Sequence, residues 1–276
     1  MSCGRIRETM PRAIWTGALS FGLVNVPIRV VTATQEKDVR FNQLHAKDAS
    51  RIEMKRFCAE EGIEIPYDEI VKGYHLGGDE YVTFSSDEIK DLSPSKTDTV
   101  DIIDFVSLHD IDPIYYNKTY FLTPQKGASK AYGLLLEAMR TSDRVAIARV
   151  VMRTKEYLVA IRPIGSALSM TTLLYHDEVV KEAALELPEV KAVEERELAM
   201  AQQLIDTLTT DFDPARYKND YQERLVERIE AKAEGREVVA APSKAPAVAA
   251  TSLVDALTAS LNAAKARREA GDGASA

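Results

Sequence analysis

Side chains that could bind a metal are scattered along the sequence. The four histidines, His45, His75, His109 and His176, are each isolated from other histidines and cysteines. His45 and Asp48 have a spacing that could hold a metal, but the Cys or second His that a zinc site needs is missing nearby. Two cysteines, Cys3 and Cys58, are too few for a disulfide framework and fit a reducing compartment. The sequence therefore predicts neither a metal site nor a bound cofactor.

Catalytic motifs are equally hard to find. The segment Lys126–Lys130 superficially resembles a phosphate loop but lacks the spacing G-x-x-x-x-G-K-[ST]. Neither a G-x-S-x-G nor a G-x-G-x-x-G motif occurs. Acidic residues between 87 and 112 could supply paired carboxylates, although such a run is usually a solvated face. We expect a protein without enzymatic activity, and a hydrolase with an unfamiliar site is the weakest alternative.

Charge is distributed unevenly. The formal net charge is −8, and residues 177–237, with 9 Lys/Arg and 17 Asp/Glu, account for all of it. Residues 77–112 are also acidic, with 2 basic and 10 acidic residues. Two segments are basic: residues 37–57 have 6 Lys/Arg and 3 Asp/Glu, and residues 126–162 have 8 Lys/Arg and 3 Asp/Glu. Phosphate binding requires a positive surface and not a positive total, so nucleic-acid binding stays open.

The basic segments supply the candidate nucleic-acid contacts. Arg149 and Arg153 have the same parity in a predicted strand, so we expect both on one face of it. The candidate DNA-binding residues are Arg40, Lys47, Arg51, Lys55, Arg56, Lys72, Lys126, Arg149, Arg153 and Arg162. An ordinary solvated β face or loop would have a similar composition, and that alternative stays open for each residue.

Short strands predominate up to about residue 175. Apolar, β-branched and aromatic runs between turn signals predict strands at Leu23–Thr32, Glu80–Ser85, Asp101–Leu108, Tyr115–Thr123, Val145–Arg153 and Leu158–Pro163. Gly77-Gly78 is a candidate hairpin turn, and Thr154–Tyr157 is a predicted hairpin loop. A helix is predicted at Ser129–Met139, with Ser129 as a possible N-cap. Many short, irregularly spaced strands favour a barrel over a parallel sheet.

Helical periodicity follows His176. Leu198, Ala201, Ile205 and Leu208 predict one amphipathic helix, and a second, closed by Gly235, carries Tyr221, Leu225 and Ile229. Residues 236–250 resemble an Ala/Pro linker. Behind it, a Ser252-x-x-Asp255 capping box opens a helix with Leu253, Leu257 and Leu261 on one face. That helix is predicted to dock a partner, the alternative being that it folds back on its own domain.

Eight blocks of sequence carry a family resemblance. They are RAIWTGALSFGLVNVPI at 12–28, FNQLH at 41–45, DASRI at 48–52, IPYDEIVKGY at 65–74, IDPIYY at 111–116, KAY at 130–132, VAIAR at 145–149 and LVAIRP at 158–163. In order and spacing they resemble the bacterial Ku family over roughly residues 11–235. The segment 253–264 is also similar to the short C-terminal region of that family.

The resemblance implies a mixed α+β fold, a Ku-type β-barrel with a strand-rich, DNA-encircling bridge and an α-helical C-terminal arm. The expected organisation is a disordered leader (1–10), barrel core (11–180) with its bridge (about 45–85), dimerisation arm (181–235), linker (236–250), ligase-docking helix (251–268) and disordered tail (269–276). Many members have a lysine-rich C-terminal extension, whereas only Lys265, Arg267 and Arg268 follow the helix face here.

The resemblance also implies a function. Two copies would form a ring on linear double-stranded DNA ends, in non-homologous end joining, and recruit a multifunctional ATP-dependent DNA ligase. Such a protein would be cytoplasmic and nucleoid-associated; no apolar run is long enough to span a membrane. Contacts to phosphates and not to bases would make end binding independent of sequence. A DNA-independent assembly scaffold that uses its acidic helices and its terminal helix for partners is the competing hypothesis.

Overall fold

The computed structural model describes residues 12–78, 80–92, 97–188, 193–235 and 253–272, with side chains as far as residue 266. The chain divides into two compact units. The first contains residues 12–37 and 42–184, and the second contains residues 38–41 and those from 185 onward.

Seven strands of the first unit form a closed barrel in the order β1-β2-β6-β9-β8-β7-β5. These barrel strands are β1 (Ala13–Phe21), β2 (Val24–Thr32), β5 (Thr99–Val106), β6 (Tyr116–Pro124), β7 (Val145–Met152), β8 (Lys155–Ile164) and β9 (Ala167–Leu173). Two further strands, β3 (Lys72–Gly77) and β4 (Glu80–Phe84), form a separate hairpin. The helices of this unit are α1 (Ser86–Asp91) and α2 (Ser129–Ser142).

The barrel closes through a short parallel ladder between β1 and β5, which pairs Leu19 with Val100. The remaining neighbours in the barrel pair antiparallel. Gly17 lies at this closure, where a Cβ atom would come within 2.3 Å of both the Asp98 carbonyl oxygen and the Trp15 ring. The close approach explains a glycine inside a strand, and closure leaves the barrel without unpaired edges.

The core fills the barrel and continues onto one face of α2. Leu19, Ile28, Leu122, Ile161 and Met170 are fully buried on the inner face of their strands. From α2, Tyr132, Leu135, Leu136 and Met139 join this core. The Tyr132 hydroxyl donates to the Leu122 carbonyl oxygen and accepts from the Leu168 N–H, both at 2.7 Å. Tyr132 thus bridges β6 and β9 at the end of the ladder that these two strands share.

An excursion, defined here as residues 42–92, interrupts the barrel between β2 and β5. It contains two isolated bridges, Leu44 to Arg51 and Phe57 to Glu64, followed by the β3–β4 hairpin and α1. No described residue of the excursion is buried. Local turns and ladders hold it, because it has no core of its own.

The second unit is helical, with α3 (Glu195–Leu208), α4 (Asp220–Ala233) and α5 (Leu253–Asp272). α5 packs against α3. None of the helices among the described residues is long and apolar enough to cross a membrane.

The structure confirms the mixed α+β class, the barrel, the C-terminal helices and the Gly77-Gly78 turn. The six predicted strands are present within three residues at each end, but β1, β3 and β9 were missed. Ser129 is not the N-cap: Ala128 precedes the helix and offers no side-chain hydrogen bond. The β7–β8 turn is shorter than predicted, since β8 already begins at Lys155. α5 runs to Asp272, beyond the predicted helix end at 268, while the predicted leader (1–10) and linker (236–250) lie outside the described residues.

Candidate nucleic-acid interface

The excursion presents five of the predicted cations on exposed local structure: Lys47, Arg51, Lys55, Arg56 and Lys72. The first turn spans His45–Ser50 and is closed by a 2.8 Å hydrogen bond from the His45 N–H to the Ser50 carbonyl oxygen. Asp48 Oδ1 accepts from the Ser50 N–H at 3.0 Å and lies 3.1 Å from His45 Nδ1. These hydrogen bonds, that from the Ser50 N–H foremost, hold the pKa of Asp48 below its ordinary value. The carboxylate thereby fixes the turn that carries Lys47 at its tip.

Lys55 and Arg56, which precede the bridge between Phe57 and Glu64, already have partners. Lys55 Nζ lies 2.9 Å from Glu64 Oε2, and both side chains are about half exposed. The guanidinium of Arg56 lies over the Tyr67 ring, 5.2 Å from its centroid. The exposed ion pair contributes little to stability, but Glu64 offsets part of the charge that Lys55 would offer a phosphate. Within the described part of the chain, Lys47, Arg51 and Lys72 have no such side-chain partner.

The β3–β4 hairpin places Lys72 at its base, opposite Phe84. The Tyr81 ring covers Gly73, where a Cβ would lie 3.2 Å from it. His75 Nε2 lies 2.7 Å from the Gly78 carbonyl oxygen at the turn. These contacts shape the hairpin, and Lys72 stays exposed at the end that joins the rest of the excursion.

Arg149 lies on the outer face of β7, opposite Asp101 of β5 and Leu158 of β8. It lines a surface depression together with Asp101 and Glu156. Two carboxylates beside one guanidinium give this site a net negative charge. Arg149 is consequently a weaker phosphate-binding candidate than its exposed position on a barrel strand indicates.

The prediction that Arg153 shares a strand face with Arg149 is wrong. β7 ends at Met152, and Arg153 occupies the β7–β8 turn with φ 61°, a left-handed conformation uncommon for a residue other than glycine. Burial raises the pKa of the Tyr120 phenol, the neighbouring Tyr157 adds to that rise, and the positive charge of Arg153 opposes it. The charge of Arg153 thus acts on Tyr120 from the β7–β8 turn and not from the strand face of Arg149.

The remaining predicted cations are Lys126, Arg162 and Arg40. Lys126 is exposed in the turn that precedes α2. Arg162 is half-buried on β8, four residues beyond the Leu158 that faces Arg149. That separation corresponds to about 13 Å along the strand. Arg40 belongs to the second unit.

Two arginines beside Arg162 were missed by the sequence reasoning. Arg140 and Arg144 line the same depression as Arg162, near the end of α2. The excess of basic over acidic residues at 126–162 was the available signal, but it did not show which of them converge.

Apolar side chains are widely exposed in the excursion and on the helices. Tyr74, Leu76 and Tyr81 of the β3–β4 hairpin are 61–66% exposed. On α3, Leu198, Ile205 and Leu208 are 49–64% exposed along one stripe. Exposed apolar surface of this extent marks interaction surfaces.

The predicted ligase-docking leucines occupy different environments on α5. Leu253 is 61% exposed, whereas Leu257 and Leu261 are half-buried and Ala264 is buried. α5 packs against α3 of the same unit, and the docking role of its leucines stays a prediction. Ser252, the first residue of the predicted capping box, lies outside the described residues.

Comparisons with known proteins find a family model and curated relatives that resemble this chain. A family model described as "Ku70/Ku80 beta-barrel domain" matches residues 20–200. A curated relative from Anaeromyxobacter sp. (strain K), named "Non-homologous end joining protein Ku", is 48% identical over 260 residues, covering 94% of this chain and 88% of that protein. Relatives with the same name from Heliobacterium modesticaldum and Bacillus subtilis are 41% and 37% identical; their alignments cover 94% and 84% of this chain and 94% and 76% of those proteins.

Proposed function

The chain belongs to the Ku family, and from that premise we propose that it binds double-stranded DNA ends in non-homologous end joining. The observation that carries the proposal is the group of five predicted cations, all exposed, on an excursion with no buried residue among those described. The excursion as a whole has 6 basic and 12 acidic residues, so these cations and not the net charge of the segment carry the proposal. Lys47, Arg51 and Lys72 sit on turns and ladder ends, as rigid phosphate contacts require. We include no catalytic step, in keeping with the isolated histidines of the sequence.

We further propose that two copies form a ring around the duplex. The hairpin and the α3 stripe expose apolar side chains that a second copy would cover. A two-fold ring presents every cation twice, so each chain doubles the phosphate contacts. Contacts to the backbone alone make binding independent of sequence, as repair of unpredictable ends requires.

The third part of the proposal is recruitment and stimulation of an ATP-dependent DNA ligase through α5. Leu253 is exposed, whereas Leu257 and Leu261 are half-buried on a helix that packs against α3.

The proposal is tested by comparing binding to linear duplex and to a covalently closed circle of identical sequence. A protein that threads onto ends prefers the linear form strongly, whereas equal affinity for both would exclude threading.

The scaffold hypothesis remains the second candidate, because the exposed stripe of α3 also suits a protein partner. Reversing the charge of Lys47, Arg51 and Lys72 separates the two. The end-binding protein loses DNA affinity and its salt dependence, while a scaffold keeps its partner and has no DNA affinity to lose.

A further inference from the structure

A depression at one end of the barrel is lined by three arginines, Arg140, Arg144 and Arg162, and by one carboxylate, that of Asp143. It lies where α2 ends, β7 begins and β8 approaches its end. The register places Arg162 beside Val145, the first residue of β7, because their neighbours Ile161 and Ala146 pair directly. Arginines from three consecutive elements or their connections thus converge on one surface site.

The end of α2 delivers Arg144 to this site. Asp143 adopts a left-handed conformation, with φ 51° and ψ 46°, and terminates the helix. The Asp143 N–H donates to the Arg140 carbonyl oxygen at 3.4 Å, and the Arg144 N–H donates to that of Met139 at 3.2 Å. Met139 is anchored in the core at 2% exposure, so the backbone that carries Arg144 is fixed.

Arg140 is held by contacts within the barrel unit. Its Nη1 lies 2.8 Å from Glu137 Oε2, and its Nη2 donates to the Gly165 carbonyl oxygen at 2.5 Å. Glu137 therefore balances its charge, and the contact with Gly165 ties α2 to the β8–β9 turn. We assign Arg140 a positioning role at the edge of the site.

Arg144 and Arg162 have no such partner. Among the described residues, neither guanidinium forms a side-chain hydrogen bond or an ion pair. Arg162 is also half-buried, so part of its hydration is already lost. Asp143 brings one carboxylate to the depression against these two guanidinium groups, so an excess of positive charge remains that an external anion would offset.

We propose that Arg144 and Arg162 bind a phosphate group between them. Guanidinium groups match phosphate oxygens with two parallel hydrogen bonds, which an ammonium group cannot provide. The phosphate comes either from the DNA backbone or from a free phosphate compound. If the phosphate belongs to DNA, the inference rests on the proposed function and adds a barrel contact to those of the excursion. If the phosphate belongs to a free compound, the inference is independent of the proposed function.

Two titrations test the site with an Arg144→Gln/Arg162→Gln variant of the full chain. Titration of inorganic pyrophosphate by calorimetry reports a free phosphate compound. The salt dependence of binding to linear duplex reports a backbone phosphate. Lys118→Gln is the matched control, since it removes an exposed cation from β6, near the opposite end of the barrel.

We expect the double variant to lose at least tenfold in pyrophosphate affinity, while Lys118→Gln keeps it. If the phosphate belongs to DNA, the slope of log K against log salt also falls by about 2 for a dimer, at roughly 0.9 for each contact. Loss of pyrophosphate affinity with an unchanged slope assigns the site to a free phosphate compound. A reduced slope without pyrophosphate binding by the unmodified protein assigns it to DNA.

The proposal is overturned if the double variant keeps the salt slope of the unmodified protein and also keeps its pyrophosphate affinity. The same holds if the slope is kept and the unmodified protein does not bind pyrophosphate. Should the glutamine variant unfold, Arg144→Lys/Arg162→Lys decides the matter. It keeps both charges, so the salt slope stays while the geometry-dependent pyrophosphate affinity falls; full retention of that affinity overturns the proposal. If the unmodified protein does not prefer DNA ends, the proposed function fails, and the pyrophosphate titration still decides this site.

Discussion

The excursion offers a sharp test because its cations differ in whether they already have a partner. Lys47, Arg51 and Lys72 have no side-chain partner among the described residues, whereas Lys55 lies 2.9 Å from Glu64. A triple substitution of the first three by glutamine removes six phosphate contacts from a dimer. At about 0.9 for each contact, the slope of log K against log salt falls by about 5.

The assay is binding of a linear duplex, measured by fluorescence anisotropy between 50 and 200 mM salt, the range over which such contacts have large effects. Lys55→Gln is the matched control and lowers the slope by less than Lys47→Gln does, because Glu64 already offsets that charge. Glu64→Gln, which releases Lys55, tightens binding. The reasoning is refuted if the triple variant keeps the slope of the unmodified protein, or if Lys55→Gln and Lys47→Gln lower it equally.

Three further predictions concern stability and recruitment. Tyr132→Phe removes the hydroxyl that bonds to the buried Leu168 N–H and Leu122 carbonyl, so it lowers the free energy of unfolding, measured by urea denaturation, by about 2 kcal/mol. The control Tyr74→Phe, on the exposed hairpin, has little effect. Equal effects of the two substitutions would contradict the role of the Tyr132 hydroxyl. Gly17→Ala destabilises the barrel, since its Cβ would lie 2.3 Å from the Asp98 carbonyl oxygen. Gly133→Ala in α2, with open space around it, stabilises the protein by up to ~1 kcal/mol. Thermal melting checks both signs, and a stabilising Gly17→Ala would contradict the close approach at the barrel closure. Deleting residues 253–276 leaves end binding nearly intact but weakens stimulation of an ATP-dependent ligase in a nick- or end-joining assay, and full stimulation by the shortened chain would remove α5 from the docking role.

The strands that sequence reasoning found share a local signal. β7 (VAIARVVM) and β8 (KEYLVAIRPI) contain continuous β-branched and apolar runs, which strand propensity favours. β1 and β9 were missed because Gly17, Ala18 and the polar residues of ALSMTTL dilute that signal. Their strand conformation depends on neighbours distant in sequence, such as the Leu19–Val100 pair that closes the barrel. No local pattern contains that information.

The candidate site shows the same division. Composition identified the basic segments, but which cations are available depends on register and on turns. Lys55 meets Glu64 because a β-bridge pairs Glu64 with Phe57, two residues after Lys55. Arg153 leaves the strand because it adopts a left-handed conformation in the β7–β8 turn. Arg144 lines the same depression as Arg162 because α2 ends at Ser142, with Asp143 as its C-cap, and β7 begins at Val145. These outcomes are tertiary, so sequence parity could not predict them.

The most direct measurement of encirclement is retention after the ends are blocked. Protein is loaded onto a linear duplex biotinylated at both ends, streptavidin is added, and dissociation is followed at high salt beside an unblocked duplex. A ring stays on the blocked duplex long after it has left the open one. Loss from both at the same rate would show that the chain holds DNA from one side.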